Sequence, residues 1–264
     1  MKFARFLKFA LSALLAGVLT LALAGCGASN NLNLTQGNWS MTAVPTAGAA
    51  GTFYIGGNLT QSGSNLAGTM YVISSCISSS QSVAFTGTVT GNKVTLTSAS
   101  ASGEVITITS SGTAGSLTGT YTVTGGCDDG DKGNVTLNAV PSISGTWSGP
   151  ISGSGGPNVT IAIAFTQAAT ASADGTYALS GNVTFTNSSC SVSGTVSSAS
   201  IAGPYLVVSG LTNDVINGAN GGSFTYDQVF LNSPASPTSM KGTYSVTSGD
   251  CAGDPDTTPT FTKQ

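Results

Sequence analysis

Val159-Thr160-Ile161-Ala162-Ile163-Ala164-Phe165 carries an apolar residue at every second position. Successive side chains of a β-strand point to opposite faces, so Val159, Ile161, Ile163 and Phe165 share one face and Thr160 lies on the other. The same period recurs in Tyr177, Leu179, Gly181, Val183 and Phe185, in Phe53, Ile55, Gly57 and Leu59, and in Leu117, Gly119, Tyr121 and Val123. The intervening residues are mostly Thr, Ser, Asn and Ala. One face is built to be buried and the other to be wet, as antiparallel sheets permit. No segment beyond residue 25 sustains a helical period, so an all-β protein is expected there.

In the first half, strands are expected near 38–44, 52–61, 66–73, 82–90, 92–99, 104–110, 115–124 and 133–140, separated by breaks such as Ser62-Gly63-Ser64-Asn65 and Gly91-Asn92. Eight strands in so short a stretch require hairpin connections, because a parallel crossover takes a dozen or more residues. A meander must protect its edge strands, and closing into a barrel does so. Gly57, Gly119 and Gly181 fall on the inward face of otherwise strong strands, where glycine suits a sharp bend at a barrel corner. The alternative is a pair of immunoglobulin-like sandwiches, which would order Cys, Trp, Cys along the chain. Here each Trp precedes both cysteines of its half, which favours barrels.

The pattern is written twice. Gly37-Asn38-Trp39-Ser40 returns as Gly145-Thr146-Trp147-Ser148, Leu59-Thr60-Gln61 as Phe165-Thr166-Gln167, and Ser74-Ser75-Cys76 as Ser188-Ser189-Cys190. Gly119-Thr120-Tyr121 before Cys127 returns as Gly242-Thr243-Tyr244 before Cys251. The conserved order implies two tandem up-and-down barrels of about eight strands each, over 37–140 and 141–264. Of the five cysteines, the four inside the repeats allow three pairings; one pair per copy selects Cys76–Cys127 and Cys190–Cys251. A zinc site is the rival, but it usually draws on close pairs such as Cys-x-x-Cys, which are absent.

The Gly-x-Trp opening of each copy resembles the start of calycin-type barrels, the group that includes lipocalins and avidins. The resemblance implies that Trp39 and Trp147 plug one barrel end. It further implies a mouth that takes a small apolar or amphipathic ligand, with Phe53, Gln61, Tyr121, Phe165, Gln167 and Tyr244 as candidate lining. Two departures stand out: lipocalin-like domains stack an arginine on that Trp, and no arginine follows Arg5. Avidin-like pockets use several Trp residues where each copy here has one, so biotin binding does not carry over. A glutamine buried in an apolar barrel must hydrogen-bond something. A ligand would serve, and so would neighbouring backbone at the barrel mouth, which is the simpler reading.

The N-terminus sets the address. Lys2, Arg5 and Lys8 precede an apolar run from Phe9 to Ala24, followed by Leu23-Ala24-Gly25-Cys26. This is a signal-peptide layout, in which a leader helix is cleaved after residue 25. An apolar run this short falls below the roughly 20 residues that span a bilayer. The tetrapeptide resembles the lipobox of bacterial lipoproteins. The resemblance implies palmitate-type acylation at Cys26, a membrane link through the lipid, and a tether over 26–36. Gly27, rather than aspartate, after the cysteine points by analogy to the outer membrane.

Beyond residue 25 the charges are Lys93, Lys132, Lys241 and Lys263 against Glu104 and nine aspartates, four positive against ten negative for a net of −6. Nucleic-acid partners are excluded, since phosphate neutralisation needs clustered Lys and Arg. With no histidine, a serine nucleophile lacks its usual base, so no enzymatic activity and no cofactor are expected. Glu104, the only glutamate, is expected to face solvent from a strand. Asp128, Asp129 and Asp131 follow Cys127, and Asp250, Asp254 and Asp256 surround Cys251. Such carboxylates could take Ca²⁺, although their spacing departs from an Asp-x-Asp-x-Asp-Gly loop; a solvated turn is the plainer expectation. An envelope partner for the Thr-rich outer faces is the alternative to a small ligand.

Overall fold

Alternation of period two gives each strand one apolar face, and with no helices to cover it a meander buries that face either by packing sheet on sheet or by curling onto itself; the first half curls. The computed structural model describes residues 31–47, 52–74, 76–77, 81–151, 159–186, 191–212, 224–231, 236–246 and 260–264, and among these it contains strands and no helix. The first eight strands are β1 (Gly37–Ala47), β2 (Phe53–Ser62), β3 (Asn65–Ile73), β4 (Gln81–Thr90), β5 (Lys93–Ser98), β6 (Val105–Thr113), β7 (Ser116–Thr124) and β8 (Lys132–Ala139). Each pairs antiparallel with its sequence neighbour. β1 closes the ring by pairing with β2 (Trp39 opposite Gly57) and with β8 (Trp39 opposite Ala139), so the sheet is a closed eight-stranded barrel.

The barrel interior is filled by side chains. Trp39, Met41, Ile55, Leu59, Met70, Phe85, Leu96, Ile108 and Tyr121 are all buried in one apolar cluster. The outer positions of β4 and β7 are exposed threonines, Thr86, Thr88 and Thr90 on one and Thr118, Thr120, Thr122 and Thr124 on the other. Apolar inside and polar outside is the reverse of a membrane-spanning barrel, so this barrel is built to stand in water. Gly57 adopts φ +151°, and a Cβ there would come within 2.6 Å of the Thr69 carbonyl oxygen. Gly181 repeats this at φ +152°, against the Ala164 carbonyl. The inward glycines are thus places where one strand backbone crosses close to the next.

The second half contributes β9 (Gly145–Ile151), β10 (Val159–Gln167), β11 (Tyr177–Thr186), β12 (Ser191–Ala202), β13 (Tyr205–Thr212), β14 (Phe224–Leu231), β15 (Ser239–Val246) and β16 (Thr260–Lys263). Neighbours in sequence pair antiparallel, and β9 pairs with β10 on one side and β16 on the other. Trp147, Ile161, Ile163, Phe165, Leu179, Val183, Met240 and Phe261 form its core.

Candidate functional site

The ends of the first barrel differ in chemistry. One end carries the turns at Gly63, Gly91 and Ala114; the other carries the connections after β3, β5 and β7. At the first end, the chain before β1 lies across the opening. Leu32 N–H bonds the Gly91 carbonyl at 2.7 Å, and Thr35 N–H bonds the Ala114 carbonyl at 2.8 Å. Leu34 is buried, and its N–H donates to Gln61 Oε1 at 2.8 Å. Gln61 Nε2 donates in turn to the Leu32 and Gly63 carbonyls at 3.0 and 2.8 Å. Trp39 is fully buried, with its indole N–H on the Thr35 carbonyl at 2.7 Å. Residues 32 to 36, expected from the sequence to be tether, therefore belong to the barrel end.

The second half repeats the device. Trp147 donates to the Ile143 carbonyl at 2.8 Å, and Ile143 N–H donates to Gln167 Oε1 at 3.0 Å. The repeated Thr-Gln pair thus holds the strap that precedes each Trp, using backbone partners rather than leaving its amide free. Lys263 Nζ lies 5.5 Å from the Trp147 ring centroid, a cation over the face of the ring. Removing the amide in Gln61→Ala is expected to cost about 2 kcal/mol, because the buried Leu34 N–H loses its partner. Chemical denaturation of this variant against Gln61→Glu, which keeps an acceptor for Leu34, checks the assignment.

The opposite end holds the disulfide and the acids. Cys76 follows β3 and Cys127 follows β7, and their bond, with Cα atoms 5.9 Å apart, straps two distant connections. Ser74 Oγ accepts the N–H of Cys76 and of Ile77, and Ile77 turns into the core. Cys190, Cys251 and the acids Asp250, Asp254 and Asp256 lie outside the described residues, as does Cys26.

Glu104 departs from expectation. It is 3% exposed and sits just before β6, paired only through a bridge to Ala101, rather than facing solvent from a strand. Its Oε1 accepts the Asp128 N–H at 3.2 Å. Burial raises its pKa most; hydrogen bonds from the Asp128 and Cys127 backbone oppose this, and the charges of Asp128 and Asp131 add to it. Asp131 is 2% exposed, with one oxygen accepting the Tyr121 hydroxyl at 2.8 Å. Burial and that aspartate together push the Tyr121 pKa well up. Asp129 instead accepts the Gly125 N–H from an exposed position, as a turn residue does.

Both buried acids were visible in the period. Glu104 is in phase with inward Ile106 and Ile108, and Asp131 with inward Gly133, Val135 and Leu137. The alternation continues past the strand ends and carries both carboxyls inward.

Within the first half the candidate lining residues do not converge on one space. Phe53 and Tyr121 meet edge to face, with centroids 4.9 Å apart, in the core near the disulfide end. Gln61 lies at the strap end, and Phe165 is buried in the core of the second half. Tyr244 is in β15 opposite Tyr226, and its side chain lies outside the described residues.

A third feature has no counterpart in the sequence reading. The outer wall of β1 to β4 meets loops of the second half. Asn38 Nδ2 donates to the Gly203 carbonyl at 3.0 Å, and its Oδ1 accepts the Gly203 N–H at 2.6 Å. Tyr177 donates to Asn58 Oδ1 at 2.7 Å, Tyr71 to Asp174 Oδ2 at 3.2 Å, and Ser82 to the Asp174 carbonyl at 2.9 Å. Hydrogen bonds, first from Ser172 and also from Thr176 and Tyr71, hold the Asp174 pKa down despite partial burial. A depressed carboxylate stabilises the fold above its unfolded pKa and loses that contribution as pH falls through the folded value. Stability is thus expected to decline below about pH 4 with a slope that Asp174→Asn flattens, as read by denaturation across an acid series.

Comparison with protein-family models, with characterised proteins and with solved structures finds no match.

Proposed function

We propose that this chain is an exported lipoprotein without catalytic activity, acylated at Cys26 and held to the outer membrane. In this reading the second half is a tandem barrel like the first, clamped by Cys190–Cys251, and the pair acts as one structural or surface-interaction body. The observation that carries the reading is the first barrel itself: its interior is occupied by Trp39, Met41, Phe85 and Tyr121, and its strap end is crossed by backbone held on Gln61. What remains for contact is the outer surface, with its exposed threonines and few charges. A wall so poor in lysine suits an uncharged partner or glycan better than an acidic one.

A calycin-like small-ligand module is the rival, and it requires the Phe53 and Tyr121 rings to leave the core. Native mass spectrometry of the protein lacking Cys26 and all that precedes it separates the two. Bare protein supports the structural reading, whereas a reproducible extra mass per barrel overturns it in favour of a ligand. Palmitate labelling in a bacterial host tests the anchor separately: incorporation by the intact chain and none by Cys26→Ala is the expected pair, and equal labelling of both defeats it.

A further inference from the structure

We infer that a short tether holds the strap end of the first barrel against lipid headgroups, with the disulfide end and its acids turned away from the bilayer. This orientation presupposes acylation at Cys26 and says how the anchored body sits. The free chain is shorter than the sequence suggests. Leu32, Leu34 and Thr35 are fastened to Gly91, Gln61 and Ala114, so only the residues between Cys26 and Leu32 are left to act as tether. Six fully extended steps from Cys26 to Leu32 reach about 20 Å at most, and a flexible chain of that length averages about 12–15 Å. The part of the first barrel nearest an acylated Cys26 is therefore the strap end, with its turns at Gly63, Gly91 and Ala114.

Those turns are free to meet a surface. Ser62 to Asn65, Gly91 to Lys93 and Thr113 are exposed, and a Cβ at Gly63 or Gly91 would meet nothing within 4 Å. The loops of the second half bond Asn38, Asn58, Tyr71 and Ser82 instead. Backbone crosses the opening, and Leu34 and Trp39 behind it are buried. No large apolar side chain is presented for insertion, so the contact is with headgroups and not with acyl chains.

Charge favours the same orientation. The four acids of the first half, Glu104, Asp128, Asp129 and Asp131, all belong to the connections after β5 and β7, at the disulfide end. β7 runs nine residues from one end to the other. At about 3.3 Å per residue and a tilt of about 35–45°, the two ends stand about 20 Å apart. Salt screens exposed charges beyond about 8–10 Å. With the strap end down the acids are out of reach of an anionic leaflet; turned over, they press against it. The strap-end turns carry no acid and one base, the exposed Lys93, whose sign suits lipid phosphates.

The test couples the oxidised chain beginning at Cys26, through that thiol, to a maleimide phospholipid in vesicles of phosphatidylcholine, phosphatidylethanolamine and phosphatidylglycerol. Orientation is then read whether or not a host acylates the cysteine. A short amine-to-amine cross-linker joins lysines to phosphatidylethanolamine, with yields read by mass spectrometry and normalised to the acylation of each lysine in the uncoupled chain. Lys93 is expected to exceed Lys132, exposed at the far end, at least fivefold. Inserting about twenty Gly and Ser residues after Ala28, which lets either end reach the surface, should bring the two within twofold. Equal yields at the native tether length, or Lys132 ahead, overturn the orientation and leave the anchor standing. A preference that the longer tether does not reduce overturns it as well, because the tether is then not what holds the end down. Failure of palmitate labelling in the host removes the anchor and this orientation together, so the two readings fail by different measurements.

Discussion

Replacing Gly56 with valine (Gly56→Val) is expected to split one cooperative unfolding transition into two. Gly56 is an outward residue of β2, opposite Ser40 and Tyr71. A Cβ there would come 2.6 Å from the Ala202 carbonyl oxygen and 2.7 Å from the Gly203 Cα. Both are backbone atoms, so nothing swings aside. The loop at Gly203 must retreat, and with it go the two bonds that Asn38 makes to its peptide groups. Overpacking of this kind costs about 1–3 kcal/mol, and the stranded Asn38, 5% exposed, adds about 1–3 kcal/mol. Within the barrel alone, valine suits an outward strand position better than glycine. The damage therefore belongs to the contact, not to the sheet. Calorimetry of the full chain should show two transitions in the variant, with the higher one within a few degrees of the parent. A single transition shifted as a whole would show that the halves do not depend on this contact.

Loss of the Cys76–Cys127 bond is the second large effect. The bond closes a separation of 51 residues, which corresponds to roughly 4 kcal/mol on the chain-entropy account. For a unit of about 100 residues this lowers the thermal midpoint by about 20 °C. Cys76→Ser with Cys127→Ser should show the drop without reductant, and the parent chain should reproduce it in dithiol. A shift below about 3 °C in both would mean that the connections after β3 and β7 are held by other contacts, Ile77 in the core foremost among them.

The strand positions of the first half were legible because apolar residues recur at every second position over most of each strand; β3, expected at 66–73, occupies Asn65–Ile73, and β7, expected at 115–124, occupies Ser116–Thr124. The pairing of Cys76 with Cys127 followed from one pair per repeat, and closure of the barrel from glycines at inward positions. Gln61, expected to be buried, is half-buried, and its partners are the strap backbone and the Gly63 carbonyl. Glu104 was expected to face solvent, but Ile106 and Ile108 share its parity and point inward, and parity decides direction. The contact around Asn38, Gly56 and Gly203 was not legible. Period reports which side of a strand faces its own sheet, and it is silent on which outward wall receives another part of the chain. Adjacent glycines at 56 and 57 were the sole hint, since one barrel corner needs only the inward one.

The strap before β1 has a mechanical consequence. Leu32, Thr35 and Leu34 are fastened to Gly91, Ala114 and Gln61, which belong to three different hairpins. Tension arriving from the N-terminal side is shared among those hairpins before any of it reaches β1. A pull from that direction must shear several bonds together instead of peeling the first strand away one bond at a time.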